Sequence, residues 1–213
     1  MTPRSPTPGA TQSIAVTDLD PRDAYRLLIS VVVPRPIGWI SSISADGEAN
    51  LAPFSFFNAV AGPPPTVMVS VSQRAGGAKD TVRNAEETRE FVAHIVERRL
   101  AERMNATSGE WPHGVDEFEQ AGLARVASTD VRPYRLADAA VAMECRLTQV
   151  VPVEGTRYTM LLGQVARFHL REGLLRANGL ADPRLLDPIA RLGGDEYTSL
   201  GEVFEMIRPR VSP

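Results

Sequence analysis

Two groups of residues have the types and spacing to do chemistry. Lys79-Asp80-Thr81 sets a cation, a carboxylate and a hydroxyl at the expected start of a helix, where free backbone N–H groups and the helix dipole attract an anion. Pro34-Arg35-Pro36-Ile37-Gly38-Trp39-Ile40-Ser41-Ser42-Ile43-Ser44 and Asn50-Leu51-Ala52-Pro53-Phe54-Ser55-Phe56-Phe57-Asn58 gather small hydroxyls, proline and three of the seven phenylalanines at one edge of a predicted hairpin. Pro53 removes a ladder donor and so marks an edge strand, and that edge offers flat apolar walls beside hydroxyl donors, the makings of a small-molecule pocket. A plain structural reading fits the same residues: aromatics in the core, serines toward solvent, Asp80 as a helix cap.

Other chemistries lack their residues. His94, His113 and His169 are dispersed, with no His-x-x-x-His pair and no carboxylate at ligand spacing, so no metal site is expected. There is no Gly-x-Ser-x-Gly elbow, Walker loop or Gly-x-Gly-x-x-Gly turn, and Gly76-Gly77 ahead of Lys79 is wrongly spaced for a phosphate loop. Cys145 sits mid-strand with Met143 and Leu147 on its face, which assigns it to the core rather than to nucleophilic catalysis.

The elements that must position these residues are short. Asp20-Pro21 is an N-cap followed by proline at the first helical position, and Tyr25, Leu28 and Ile29 recur at helical spacing, so a helix is expected over about 21–30. Strands are expected over 37–44 and 50–60, joined by the hairpin turn Asp46-Gly47, and over 66–71, where Val67, Val69 and Val71 alternate. A helix over 79–89, a strand over 90–96 and a charged helix over 97–106 follow, then a loop at Trp111-Pro112-His113-Gly114. Val141–Val153 and Thr156–Leu170, divided by Glu154-Gly155, are expected to pair as a second hairpin. Without long crossover helices between strands, a doubly wound sheet is excluded in favour of a mainly β fold, a small barrel with a few short helices.

At 213 residues, 43% hydrophobic and 23% charged, the chain has material for one real core; residues 1–17, with prolines at 3, 6 and 8, read as a disordered arm ahead of a single domain over 18–213. Twenty-three basic against 26 acidic residues, a formal charge of -3, favour neither nucleic acid nor an anionic membrane as partner. Leu27–Val33 is interrupted by Ser30 and stops at Pro34, far short of the roughly 20 residues of a membrane span. The N-terminus lacks the apolar region of a signal peptide, and one cysteine permits neither an intrachain disulfide nor a thiolate cluster, so a cytoplasmic location is expected.

Taken together the motifs resemble the flavin reductase-like family of FMN-binding split barrels, which includes flavoredoxins and the reductase partners of two-component monooxygenases. The resemblance rests on Arg35-Pro36-Ile37-Gly38-Trp39-Ile40-Ser41-Ser42, on Asn50 to Asn58, on Lys79-Asp80-Thr81-Val82-Arg83-Asn84 with Glu90-Phe91-Val92, on His113-Gly114-Val115-Asp116-Glu117-Phe118, on Met143-Glu144-Cys145-Arg146 and on Gly163-Gln164-Val165. It spans about 20–206. It implies an FMN-binding split barrel, with FAD as the alternative flavin, that takes a hydride from NADH or NADPH at flavin N5. Ser41, Ser42, Ser55, Lys79 and Thr81 would surround the phosphate and ribityl chain. Trp39, Ala52, Pro53, Phe54 and Asn58 would shape the ring pocket, with Asp80 either a contact or a cap, Trp39 alternatively plain core and Asn58 alternatively a turn residue. His169 would meet the nicotinamide amide or a flavin carbonyl, as the one possible catalytic side chain. Arg191 would meet a nucleotide phosphate, in a C-terminal segment that includes Tyr197 and closes over the site. The resemblance further implies a homodimer and an electron-accepting partner such as a monooxygenase. A flavoredoxin-type electron carrier and a non-catalytic flavin- or haem-binding module are the alternatives. The extension Gly179 to Pro213 makes a tightly held FMN as reasonable as a released one.

Overall fold

The computed structural model describes residue 9 and residues 11–74 and 76–209. The arm expected over 1–17 therefore lies partly outside the described residues; within it Val16–Asp18 forms a single 3-10 turn. Helix α1 (Pro21–Val31) begins as expected, Asp20 accepting from the Arg22 N–H at 2.8 Å. Strands β1 (Arg35–Pro36), β2 (Gly38–Ile43), β3 (Ala49–Phe54), β4 (Phe57–Ala61) and β5 (Thr66–Ser72) precede helix α2 (Asp80–Thr88) and strand β6 (Glu90–Ile95). A 3-10 turn, Arg98–Leu100, leads into α3 (Ala101–Ala106), then α4 (Glu117–Gln120), β7 (Arg125–Val126) and β8 (Arg135–Leu136). The long hairpin β9 (Val141–Val153) and β10 (Tyr158–Leu170) is followed by α5 (Pro183–Leu186), β11 (Ile189–Arg191) and β12 (Tyr197–Ser199). No helix among the described residues is long and apolar enough to cross a membrane.

Seven strands form one antiparallel sheet in the order β3-β2-β6-β9-β10-β5-β4. Its two edges, β3 and β4, are successive in the chain with only Ser55 and Phe56 between them, so the sheet must curl until its edges face each other. Gly38 on β2 records the closure: a Cβ there would lie 2.5 Å from Cδ2 of Phe57 on β4, at the far end of the strand order. The expected strand over 50–60 is thus two strands with different partners, β3 on β2 and β4 on β5, and the corner between them is the split in the barrel.

The β3 edge is blunted from within the chain. Pro53 has no N–H to offer, and the Leu51 N–H donates to Glu117 Oε2 at 2.9 Å. Burial holds the Glu117 carboxyl above the usual carboxylate range, partly offset by that bond.

Period-two alternation divides the apolar residues into two layers. Ile40, Phe54, Phe57, Val69, Phe91 and Leu161 fill the barrel, joined by Val82 and Ala85 of α2. Trp39 and Leu51 face outward and pack with Val96, Met104 of α3 and Phe118 of α4. Cys145 is buried in the inner layer, and burial raises its thiol pKa, as a core assignment requires.

His94 fastens this outer layer to the sheet. Its Nδ1 lies 2.9 Å from the Trp39 carbonyl, and its Nε2 accepts from the Leu136 N–H at 3.0 Å, so one nitrogen donates, the other accepts, and the ring is neutral. Full burial pushes its pKa down to about 4, with the Trp39 carbonyl pulling the other way. Between that value and the ordinary histidine range near 6.5 the unfolded chain binds the proton and the folded chain does not. Stability is therefore complete above about pH 6.5 and falls by about 3 kcal/mol as the pH drops toward 4. A thermal midpoint measured across this range on the wild type and on His94→Gln, which titrates nothing there, reads the effect as the difference between the two slopes.

Candidate functional site

Three cavities meet at the split, and Ser55 is on the wall of each. The first, about 160 Å³, lies between Pro53–Phe56 and the outer face of β5, with Tyr25 and Tyr158 beyond. Because Val67, Val69 and Val71 point inward, Met68, Ser70 and Ser72 must point out, and Ser70 and Ser72 line this cavity. Phe56 and Tyr158 give it a flat wall, their ring centroids 5.6 Å apart. Burial, together with the hydrogen bond to Tyr25, pushes the Tyr158 phenol up to about 12. The second cavity, about 90 Å³, is bounded by Pro53, Phe54, Ile37 and Met104, and by Arg191 and Tyr197 of the C-terminal segment. That segment arrives because β11 pairs with β1, setting Arg191 opposite Arg35. The third, about 370 Å³, is apolar and lies under α1.

Cations crowd this corner of a chain whose formal charge is -3. Lys79 Nζ stands 5.6 Å from the centroid of the Phe54 ring. Burial holds Lys79 below the ordinary lysine range; the Arg74 guanidinium nearby adds to the shift and Glu110 opposes it. Arg74 donates to the Trp111 carbonyl at 2.9 Å and leaves its buried Nε without a partner. Arg191 lies over the Tyr197 ring at 4.5 Å and bonds the Tyr197 hydroxyl and the Gly194 carbonyl. None of the three cavity walls carries an Asp, Glu or His among the described residues.

Pro53, Phe54, Ser55, Asn58, Lys79, Arg191 and Tyr197 are therefore brought to or beside the split, Asn58 on the wall of the third cavity. Ala52 is half-buried against the barrel interior. Four other expected contacts are enclosed by the protein. Trp39 is fully buried, its indole donating to Thr107 Oγ1 at 2.9 Å, and packs the outer layer. Ser41 and Ser42, neighbours on one strand, point to opposite faces and cannot serve one ligand. Ser41 is fully buried with an unpartnered hydroxyl; Ser42 and Thr81 are buried in a network beneath α2. There Asn50 Nδ2 donates to Ser42 at 3.2 Å and to Thr81 at 3.1 Å, and Asn84 Nδ2 donates to Ser42 at 3.2 Å. This network seats the start of α2, and with it Lys79, against the β2–β3 hairpin. Asp80 is the first residue of α2 and caps none of its N–H groups; its largely enclosed carboxylate is held by Arg83 and by His113 Nδ1 at 3.0 Å.

His169 is elsewhere. It lies on none of the three walls, and its Nε2 is 2.6 Å from Glu144 Oε1. Burial works against charge on Glu144, but the N–H groups of Thr129 and Asp130, at 2.7 and 2.5 Å, together with His169 outweigh it and hold the carboxyl below its usual range. Residues not anticipated in the site are Tyr25, Ser70, Ser72, Arg74 and Tyr158. The two serines were implicit in the valine alternation of β5; Arg74 and Tyr158 reach the site only through loop and hairpin placement.

The family model described as a flavin reductase like domain matches residues 30–187. An uncharacterised Aquifex aeolicus protein is 42% identical over 85% of this chain and 92% of its own length. The crystal structure of nitrilotriacetate monooxygenase component B from Bacillus cereus is 38% identical, covers 92% of this chain and 99% of that one, and superposes with a TM-score of 0.89. Pseudomonas fluorescens 2-nitrobenzoate 2-nitroreductase is 30% identical over 95% of this chain and 98% of that one, with a TM-score of 0.85. With the family model over most of the chain and these relatives at 30% identity or more, the chain, a barrel split between β3 and β4, belongs to the flavin reductase-like family.

Proposed function

We propose that the chain binds FMN at the split and reduces it with NADH or NADPH, as a homodimer that passes the electrons to an acceptor such as a partner oxygenase. The observation that carries this reading is the convergence of three cavities on Ser55, with Arg191 on one wall, Lys79 beside Phe54 and no carboxylate on the three walls among the described residues. The donor set fits the cofactor's parts. Lys79, backed by Arg74, supplies positive charge for a phosphate dianion. Ser55, Ser70 and Ser72 supply hydroxyls for a ribityl chain, and Pro53, Phe54, Phe56 and Tyr158 supply apolar surface for a flat ring system. Arg191 and Tyr197, across the Pro53–Ser55 segment, would hold the phosphate of a nucleotide donor, a reading supported by their place on the wall of the second cavity.

Bound FMN would supply the redox chemistry, accepting a hydride and giving up its electrons. A hydride transfer between two rings asks for no carboxylate or imidazole, and the three walls carry neither among the described residues. What the protein does is align two rings and neutralise phosphates. A second copy is favoured by α1, which has no buried residue although Leu28, Val31 and Val32 are 53%, 66% and 53% exposed. The oxygenase partner is favoured by the likeness to the Bacillus cereus protein, a monooxygenase component. Anaerobic titration of FMN-loaded protein tests the reading: the visible flavin band is expected to bleach with NADH or NADPH. Bleaching by dithionite alone would remove the pyridine-nucleotide step and leave an electron carrier.

A further inference from the structure

A cavity of about 540 Å³ lies against the small sheet of β1, β11 and β12, and Ser55 is not on its wall. Val33, Pro34, Ile189, Leu192 and Leu200 give that wall its apolar surface. Among the described residues the wall carries no charged group, and its only hydroxyls are those of Thr198 and Ser199. A polar ligand would find little there to orient it, so the cavity suits an apolar occupant.

The chain also carries an apolar segment that nothing covers. Residues 200–209 form no helix or strand, and none of them makes a backbone–backbone hydrogen bond among the described residues. Phe204, Met206 and Ile207 are 71%, 85% and 93% exposed, a cluster of the kind that marks a contact surface. In an extended segment Phe204 and Met206 share one face. The segment sets out from the cavity, since Leu200 and Gly201 are on its wall, yet Phe204 and Met206 do not turn back into it.

We propose that this segment is an exchanged arm: each copy of the homodimer seats Phe204 and Met206 in the 540 Å³ cavity of its partner. The arm rests on the homodimer reading given above. Two observations favour a second copy as the occupant. Pro34 and Pro36 are on the wall of this cavity and also on that of the 370 Å³ cavity under α1, so the cavity and the exposed helix face form one continuous surface. A two-fold axis that joins two such faces brings each arm toward the other's cavity, and residues 201–207 reach roughly 20 Å when extended. The second observation is area. Leu27, Leu28, Val31, Val32 and Val33 are 40–66% exposed, and at roughly 60–120 Å² of apolar area for each full side chain two such faces cover only roughly 300–600 Å². With the arm residues Leu200, Val203, Phe204, Met206 and Ile207 added, the total rises to roughly 700–1,400 Å², the apolar share of a stable interface of about 1,200–2,000 Å².

Sedimentation of the full chain across a concentration series tests the arm. Phe204→Ser with Met206→Ser removes its apolar face at exposed positions, where folding is not at stake. Leu192→Trp, with Thr198→Trp as an independent filler, narrows the cavity from its wall. Each seated arm is expected to tighten the dimer roughly tenfold or more, so a variant that loses both is expected to raise the dimer Kd roughly 100-fold. Mixing the arm variant with a cavity variant leaves one intact arm and one intact cavity on opposite chains. The mixed dimer is therefore expected to form roughly tenfold more tightly than either variant does with itself. A mixed dimer no tighter than the others would mean that no arm crosses between copies, and would overturn the exchange. An unchanged Kd for the Phe204 and Met206 variant would overturn the arm and leave the homodimer standing. A wild-type chain that stays monomeric at every concentration would defeat the homodimer reading itself, and the arm with it.

Discussion

Replacing Lys79 with methionine is expected to weaken FMN binding by a factor of roughly 10 to 100 and riboflavin binding by less than about twofold, since one charge-assisted bond to phosphate contributes about 1.5–3 kcal/mol. Riboflavin shares every part of FMN except the phosphate, so the ratio of the two affinities isolates the charge. Methionine is unbranched and similar in length, so it removes the charge that stands 5.6 Å from the Phe54 ring centroid with little change of volume. The comparison variant is Thr81→Val, which breaks the bond from Asn50 inside the network under α2. It is expected to lower stability by about 1–3 kcal/mol while shifting both flavins together, because its effect on the site comes only from loosening the seat of α2. Fluorescence titration of each variant with each flavin gives both ratios. Equal losses of FMN and riboflavin in Lys79→Met would remove Lys79 from the phosphate site.

Where a local signal has a local cause, the fold could be read from the residues. Asp20-Pro21 starts α1 because the carboxylate caps the Arg22 N–H, and Asp46-Gly47 turns the first hairpin because Gly47 takes a φ of +94°. The corner at Ser55-Phe56 has no such mark. Neither residue breaks a strand, and apolar alternation says which face a side chain takes without saying which strand it pairs with. The division of 50–60 into β3 and β4 is decided instead by barrel closure, through contacts such as Gly38 with Phe57 that join opposite ends of the strand order.

The site divides along the same line. Lys79 and the Pro53–Ser55 segment could be found because a cation ahead of a helix and a proline in a strand are local facts with physical consequences. Adjacent serines at 41 and 42 already implied opposite faces, and that implication outweighs the likeness of a hydroxyl pair to a phosphate cradle. His169 was beyond reach. Its partner Glu144 comes within 2.6 Å only because the β9–β10 register shifts between Val165 and Arg167, an irregularity that depends on packing across the whole hairpin. Glu117 was equally hidden: its task is to satisfy the Leu51 N–H, 66 residues earlier in the chain.

Gly163→Ala is expected to lower stability by about 1–3 kcal/mol, or the thermal midpoint by roughly 2–12 °C, although the change adds one methyl group. Gly163 lies on β10 between Leu147 and Val67, facing the barrel interior. A Cβ there would sit 2.5 Å from Phe91 Cε1 and 3.0 Å from Cys145 Cβ. Phe91 is fully buried, so its ring has no open space into which to retreat. The strand must shift instead, and β10 is paired on both sides, so a shift disturbs β5 and β9 together. Phe91→Leu alone creates a void, but combined with Gly163→Ala it makes room for the new methyl group. The double variant is therefore expected to be more stable than the sum of the single losses allows, a coupling readable by a double-mutant cycle. Gly201→Ala, where a Cβ would meet nothing within 4 Å, is the control and is expected to leave the midpoint unchanged. An unchanged midpoint for Gly163→Ala would show that the wall of the barrel yields at β10, and the tight closure inferred from Gly38 and Phe57 would then need its own substitution to support it.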